Sequence, residues 1–235
     1  MVNNDKIRIS YFSDMLCVWA YIAQIRLDEL RQQYGEQIEI NYHFIPLFGC
    51  TENRIGLGWN DRGGYSGFAR HVKSVCEEFD HVEVHPDIWI ENRAKTSAIS
   101  HLFLKAIQLL EEKSMLSAAK DSLANGHSVF EEVTWRVRLA FFKLNMDISR
   151  LDCLYSIAEE LMLPVDPIAE RISNGTAMAA LCRDAELRDQ FRVEGSPTYV
   201  LNEGRQKLYG NLGYKIIEAN VQEILYRPEN QATWC

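Results

Sequence analysis

The stretch Tyr11-Phe12-Ser13-Asp14-Met15-Leu16-Cys17-Val18-Trp19-Ala20-Tyr21 decides how this chain is read. Before it, Lys6 to Phe12 alternates apolar and polar residues with the period of two that a half-buried strand requires. After it, Val18, Tyr21, Ile22, Ile25, Leu27 and Leu30 recur on one helical face that ends near Gly35, with Asp14 as the expected N-cap. Cys17 therefore stands where a strand gives way to a helix. The unpaired N–H groups and positive dipole end of a helix start favour thiolate, so the position predicts a reactive thiol with a lowered pKa. Ile38 to Ile45 alternates again as a second strand. Strand, helix and strand in that order imply a parallel pair with a right-handed crossover, and a ligand site outside the carboxyl ends of the strands. Cys17 falls at that end.

A second informative stretch lies far away, at Val193-Glu194-Gly195-Ser196-Pro197-Thr198-Tyr199-Val200. Thr198 to Leu201 reads as a strand, Asn202-Glu203-Gly204 as a turn, Gln206 to Tyr209 as its hairpin partner, and Gly213 to Leu225 as a closing helix. Between the two stretches the chain is mostly helical in pattern. Phe68, Val72, Val75 and Phe79 share one face, and Ala98 to Leu110, Val129 to Lys143 and Leu151 to Met162 supply further apolar helices. Asp166-Pro167 opens another, and Asp184 to Phe191 reads as a short helix before the proline. The glycine-rich stretch from Cys50 to Tyr65 reads as a long loop that lacks the lysine-serine pair of a phosphate-binding loop. The expected organisation is an α/β module made from residues 1–62 and 190–235, interrupted by a helical insertion over 63–189.

The 235 residues include 47% hydrophobic and 25% charged, as in an ordinary globular protein with a real core. A formal net charge of −8 argues against nucleic acid or an anionic membrane surface as partner. No apolar run approaches the roughly 20 residues of a membrane span. The start of the chain carries no apolar signal core, which makes a cytoplasmic location the expectation. The six cysteines, at 17, 50, 76, 153, 182 and 235, have no paired spacing and are expected as free thiols. Cys76, His81 and His85 do not form a zinc pattern, so no metal site is expected.

With both stretches in view, the chain resembles the DsbA-like branch of the thioredoxin superfamily, especially its FrnE-like members. The resemblance rests on the element order, on Cys17-Val18-Trp19-Ala20 and on Gly195-Ser196-Pro197-Thr198-Tyr199-Val200. It implies a thioredoxin-like fold with a large helical insertion, Cys17 as nucleophile, and a cis-proline at Pro197 beside the sulfur. Trp19, Ser196 and Thr198 are then the expected substrate-binding residues. The family's Cys-x-x-Cys is here Cys-x-x-Ala, because Ala20 replaces the second thiol. Without it the mixed disulfide on Cys17 must be resolved by glutathione, by another protein, or by a further cysteine such as Cys50 or Cys235.

A single residue at the nucleophile position is also similar to the kappa-class glutathione transferases and 2-hydroxychromene-2-carboxylate isomerases. The function expected is thiol–disulfide exchange with protein thiols or glutathione as co-substrate, with no tightly bound cofactor. The alternatives are a glutathione-dependent transferase or isomerase acting on a small apolar substrate, and a non-catalytic peptide-binding protein. The insertion is expected to pack over the Cys17 end of the sheet and offer Phe68, Trp89 or Phe103 to a pocket.

Overall fold

A computed structural model of the chain describes residues 6–116 and 127–226. Strand β1 (Ile7–Ser13) runs into helices α1 (Val18–Ile22) and α2 (Gln24–Tyr34), which break at Ala23 and lead into β2 (Ile38–Phe44). β1 and β2 pair in parallel from Ile7↔Ile38 to Ser13↔Phe44, as the strand–helix–strand pattern predicts. Strands β3 (Thr198–Leu201) and β4 (Gln206–Tyr209) form an antiparallel hairpin, and β3 lies antiparallel to β1 with Phe12 opposite Thr198. Its turn places Asn202, Glu203 and Gly204 at positive φ, a conformation that these residue types tolerate better than branched ones. The sheet order is β2-β1-β3-β4. Because β3 opposes β1, the carboxyl end of β1 meets the amino end of β3. Cys17 and Pro197 are brought to one end of the sheet by that topology.

The helices α3 (Gly64–Cys76), α4 (Ala98–Glu112), α5 (Val129–Phe142), α6 (Leu151–Glu160), α7 (Val165–Ser173) and α8 (Thr176–Gln190) lie between β2 and β3. α4 is central to them and packs against α5, α6, α7 and α8 through Phe103, Leu104, Ile107 and Leu110, all fully buried. The closing helix α9 (Tyr214–Tyr226) buries Ile217 and Val221 in the same core as Ile9, Tyr11, Leu27 and Leu30. On the opposite sheet face Phe12, Ile45, Val193 and Val200 form a smaller cluster, closed by Leu187 and Phe191. The helix expected only from Asp184 begins at Thr176, because Ala177, Ala180 and Leu181 extend its buried face. The segment read as a loop from Cys50 contains a short π-helical turn at Glu52–Leu57 and a 3-10 turn at Asn60–Arg62. No helix of the described residues is long and apolar enough to cross a membrane.

β2 is an edge strand, and an unpaired edge is a template for intermolecular pairing. Here it is closed by an ion pair. Lys105 Nζ donates to the Tyr42 carbonyl at 3.1 Å, and the Phe44 N–H donates to Asp184 Oδ2 at 2.8 Å. Lys105 and Asp184 meet at 2.7 Å, and His43 Nδ1 lies 2.9 Å from the other carboxylate oxygen. Both charges are buried, so each depends on the other for its solvation. The variant Lys105→Met should lose about 3–5 kcal/mol of stability by stranding a buried carboxylate. Adding Asp184→Asn to it should recover part of that loss, as read by urea melts of wild type, single and double variants.

Candidate active site around Cys17

Cys17 is the N-cap of α1, with extended backbone at φ −83° and ψ 114°. The turn before it is held by Asp14, whose carbonyl accepts from the Cys17 N–H at 3.2 Å and whose Oδ1 accepts from the Leu16 N–H at 2.8 Å. Asp14 is therefore not the helix cap expected from the pattern. It shapes the turn that delivers the cysteine to that position. The Ser196–Pro197 peptide is cis, and the Cys17 thiol donates to the Ser196 carbonyl at 3.2 Å. The Ser196 hydroxyl accepts from the Asp14 N–H at 2.9 Å, which fastens the proline loop to the cysteine turn a second time. Thr198 is buried, and its hydroxyl donates to the Gly195 carbonyl at 2.7 Å. It supports the loop without lining the cavity.

A cavity of about 400 Å³ opens over the sulfur. Cys17, Trp19, Gly195 and Ser196 line it together with Leu47, Phe48, Trp59 and Phe68. Phe68 comes from α3, so the helical segment walls the thiol at its first helix. Trp89 does not reach the cavity: it is fully buried behind it, with its ring centroid 5.6 Å from that of Phe68. Phe103 packs toward Tyr155 and stands apart from the site. The wall is tightly built, since a Cβ at Gly67 would overlap the Arg62 carbonyl. The charged and titratable groups Arg54, His71 and Glu194 also line it. Arg54 lies over the Phe48 ring at 4.8 Å and Arg62 over Trp59 at 4.4 Å.

Ala20 is fully buried and does not line the cavity. Cys50 is exposed, is absent from the cavity wall and forms no disulfide. Among the described residues Cys76, Cys153 and Cys182 are likewise free. Cys235 lies outside the described residues. His81 contacts the Ile22 carbonyl at 2.9 Å, and His85 accepts from the Asp87 N–H at 3.2 Å. No group of three metal-ligating side chains is found among the described residues.

The charge balance corrects the expectation of a lowered thiol pKa. Burial pushes the Cys17 thiol up, and the carboxylate of Asp14 adds to that rise. The Ser196 contact, the Ala20 N–H at the helix start and the Arg138 charge work in the other direction without overcoming it. A helix start favours thiolate only so far as the sulfur keeps access to water, and Cys17 is 6% exposed. The resting sulfur is a thiol.

The pattern reading missed the buried polar residues behind the sulfur. Arg138 of α5 donates to the Asp14 carbonyl at 3.3 Å and to the Ser13 hydroxyl at 3.2 Å. His101 of α4 accepts from the Met15 N–H at 3.2 Å through Nε2, while its ring stacks on Phe44. Ser97 donates to Asp14 Oδ2 at 2.8 Å. The available signal was a polar residue on the buried face of an otherwise apolar helix, as at His101 and Arg138, because such residues are retained inside only when paired.

A family model described as a DSBA-like thioredoxin domain matches residues 8–222. The chain belongs to that family. The match spans both Cys17 and the Ser196–Pro197 loop. Solved structures agree in fold at low identity. A Nitrosomonas europaea chain described as a candidate protein disulfide isomerase is 15% identical over 96% of this chain and 100% of its own, with a TM-score of 0.70. The cytosolic disulfide reductase DsbM from Pseudomonas aeruginosa is 17% identical over 92% and 98%, with a TM-score of 0.64, and has also been solved with GSH. A 2-hydroxychromene-2-carboxylate isomerase is 14% identical over 94% and 97%, with a TM-score of 0.60. No curated protein matches the chain in a sequence search.

Burial and the nearby Arg138 and Lys105 charges push His101 down to about 3, so it is neutral in the fold at any ordinary pH. A group depressed from its unfolded value near 6.5 contributes stability that is present above that pH and is lost as pH falls toward 3. Asp14, raised to about 6 chiefly by burial, acts oppositely, since its protonated form is favoured in the fold between about 4 and 6. The His101 shift is the larger. Wild type should therefore lose stability from pH 7 to pH 4, and His101→Phe should lose less, by on the order of 2 kcal/mol in urea melts. At pH 7 the same variant should be destabilised by about 1–3 kcal/mol, because the Met15 N–H loses its acceptor.

Proposed function

We propose that this DsbA-like protein performs thiol–disulfide exchange through the single nucleophile Cys17. The supporting observation is the Cys17 sulfur on the Ser196 carbonyl at the mouth of the cavity, next to Pro197 and with alanine in place of the second thiol. Deprotonated Cys17 attacks one sulfur of a disulfide R–S–S–R′. The Cys17–S–R bond forms, the old S–S bond breaks, and R′–S⁻ leaves to take up a proton. A second thiol then attacks the mixed disulfide, returns Cys17 to its reduced state, and departs as the new disulfide. Glutathione fits the resolving role, and the DsbM structure with GSH gives that choice a precedent among fold relatives. The elevated resting thiol makes docking a condition of reactivity. An incoming peptide that pairs with the loop at Ser196 competes for the carbonyl now bonded to the sulfur. Trp19 and Ser196 are the contacts assigned to it, and a reducing, cytoplasmic setting suits the free cysteines.

A second reading is favoured by the cavity itself. Its volume suits a small molecule, and Phe48, Trp59 and Phe68 give it apolar walls, with Arg54 also lining it. Glutathione-dependent transfer to, or isomerisation of, a small apolar electrophile would use that space.

Turnover of a glutathionylated peptide with excess glutathione tests the exchange reading. Wild type should turn it over, and Cys17→Ser should lose at least about a hundredfold in rate, as expected when a nucleophile is removed. Full activity in Cys17→Ser overturns the assignment. Tight binding of the peptide by wild type without turnover overturns it in favour of a peptide-binding protein.

A further inference from the structure

Asp14 sits between every part of this site. It is fully buried. Its Oδ2 accepts from the Phe48 N–H at 2.9 Å and from the Ser97 hydroxyl at 2.8 Å, and its Oδ1 accepts from the Leu16 N–H at 2.8 Å. The Ser97 N–H in turn donates to the Phe48 carbonyl at 3.0 Å, so the three residues close a ring of hydrogen bonds. Through its main chain Asp14 also holds the Cys17 N–H, the Ser196 hydroxyl and Arg138. One residue thus joins the cysteine turn, the proline loop, the loop after β2, the start of α4 and the middle of α5. Phe48 also lines the cavity, so the same carboxylate fixes the wall that faces the thiol.

We propose that Asp14 is the positioning residue of the Cys17 site: its carboxylate locks the thiol-bearing turn to the cavity wall and α4, and its negative charge opposes a thiolate on Cys17. The inference rests on the reading of Cys17 as the nucleophile. Asp14 does not touch the substrate, since it has no surface on the cavity. It acts through the sulfur in two ways, by geometry and by charge.

The charged groups around it set the sign. Arg138 on α5 is the buried cation that faces both Asp14 and Cys17. His101 on α4 approaches Oδ1 at 3.9 Å and is neutral, and Lys105 on α4 is committed to Asp184. Tyr11 on β1 lies near Cys17 as an un-ionised phenol whose own pKa burial pushes up. Arg54, His71 and Glu194 line the same cavity as Cys17. With Asp14 ionised, the effect of Arg138 on the sulfur is offset. With Asp14 neutral, Arg138 acts unopposed and favours thiolate. Two anions in one buried site each make the other harder to form, so their titrations are linked.

The test is residue-resolved alkylation of Cys17 by iodoacetamide in the full chain, followed by mass spectrometry between about pH 4.5 and 10, a range that spans the Asp14 transition at about 6 and the ~8.5 of an unperturbed thiol. In wild type the logarithm of the rate should climb with pH, flatten near the Asp14 transition at about 6, and climb again. Asp14→Asn should remove the flattening and raise the rate at neutral pH by about threefold to tenfold, because rate follows thiolate fraction. Ser97→Ala takes one donor from the carboxylate and keeps the charge, so the flattening should move to higher pH. A wild-type profile with no inflection, matched by Asp14→Asn, overturns the proposal. Should Asp14→Asn fail to fold, the Ser97→Ala profile decides it: an unmoved inflection overturns the role of Asp14. Retained exchange activity in Cys17→Ser overturns the nucleophile reading instead, so the two failures are distinct.

Discussion

A carboxylate removed from water must find donors or give up its charge, and the ends of β1 and β2 and the start of α4 answer that demand at Asp14. Its oxygens are met by two backbone N–H groups and a hydroxyl, none of them from a conventional helix cap. Each donor belongs to a different piece of chain. The cost of burying the charge is what makes the site rigid, because loss of any one donor would leave a poorly solvated anion. The cysteine turn and the Phe48 wall of the cavity keep their places for that reason, and the Asp14 N–H fastens the proline loop to the same turn through the Ser196 hydroxyl.

The same polar cluster explains the state of the sulfur. A thiol at a helix start is usually taken as acidic, and the Ala20 N–H does act in that sense here. Cys17 is nonetheless buried and shares its surroundings with a carboxylate, and these two effects prevail. The sulfur rests protonated, donating to the Ser196 carbonyl.

The helical segment contributes in two tiers. α3 supplies Phe68 and His71 directly to the cavity, and α4 and α5 supply Ser97, His101 and Arg138 from behind. The far helices α6 and α7 pack on α4, and α6 also packs on α5. α8 serves the other end of the problem, where Asp184 and Lys105 close the edge of β2.

Much of this was legible in the residues. The alternation in Lys6 to Phe12, the helical face from Val18 to Leu30 and the hairpin from Thr198 to Tyr209 are local patterns, and local periodicity is set by backbone geometry alone. They determined the α/β class, the parallel first pair and the position of Cys17 at a strand end. The proline loop and the cysteine could be joined only through a resemblance, because 179 residues separate Cys17 from Ser196 and no local rule spans that distance. What tertiary structure alone decided is the environment of the thiol. Asp14 reads as a helix cap until Phe48 and Ser97 arrive from elsewhere, and Trp89 and Phe103 read as cavity walls until packing turns them away. The sign of the thiol's pKa shift likewise followed from burial and a neighbouring charge. Those depend on which distant segments meet, and a one-dimensional pattern carries no record of that.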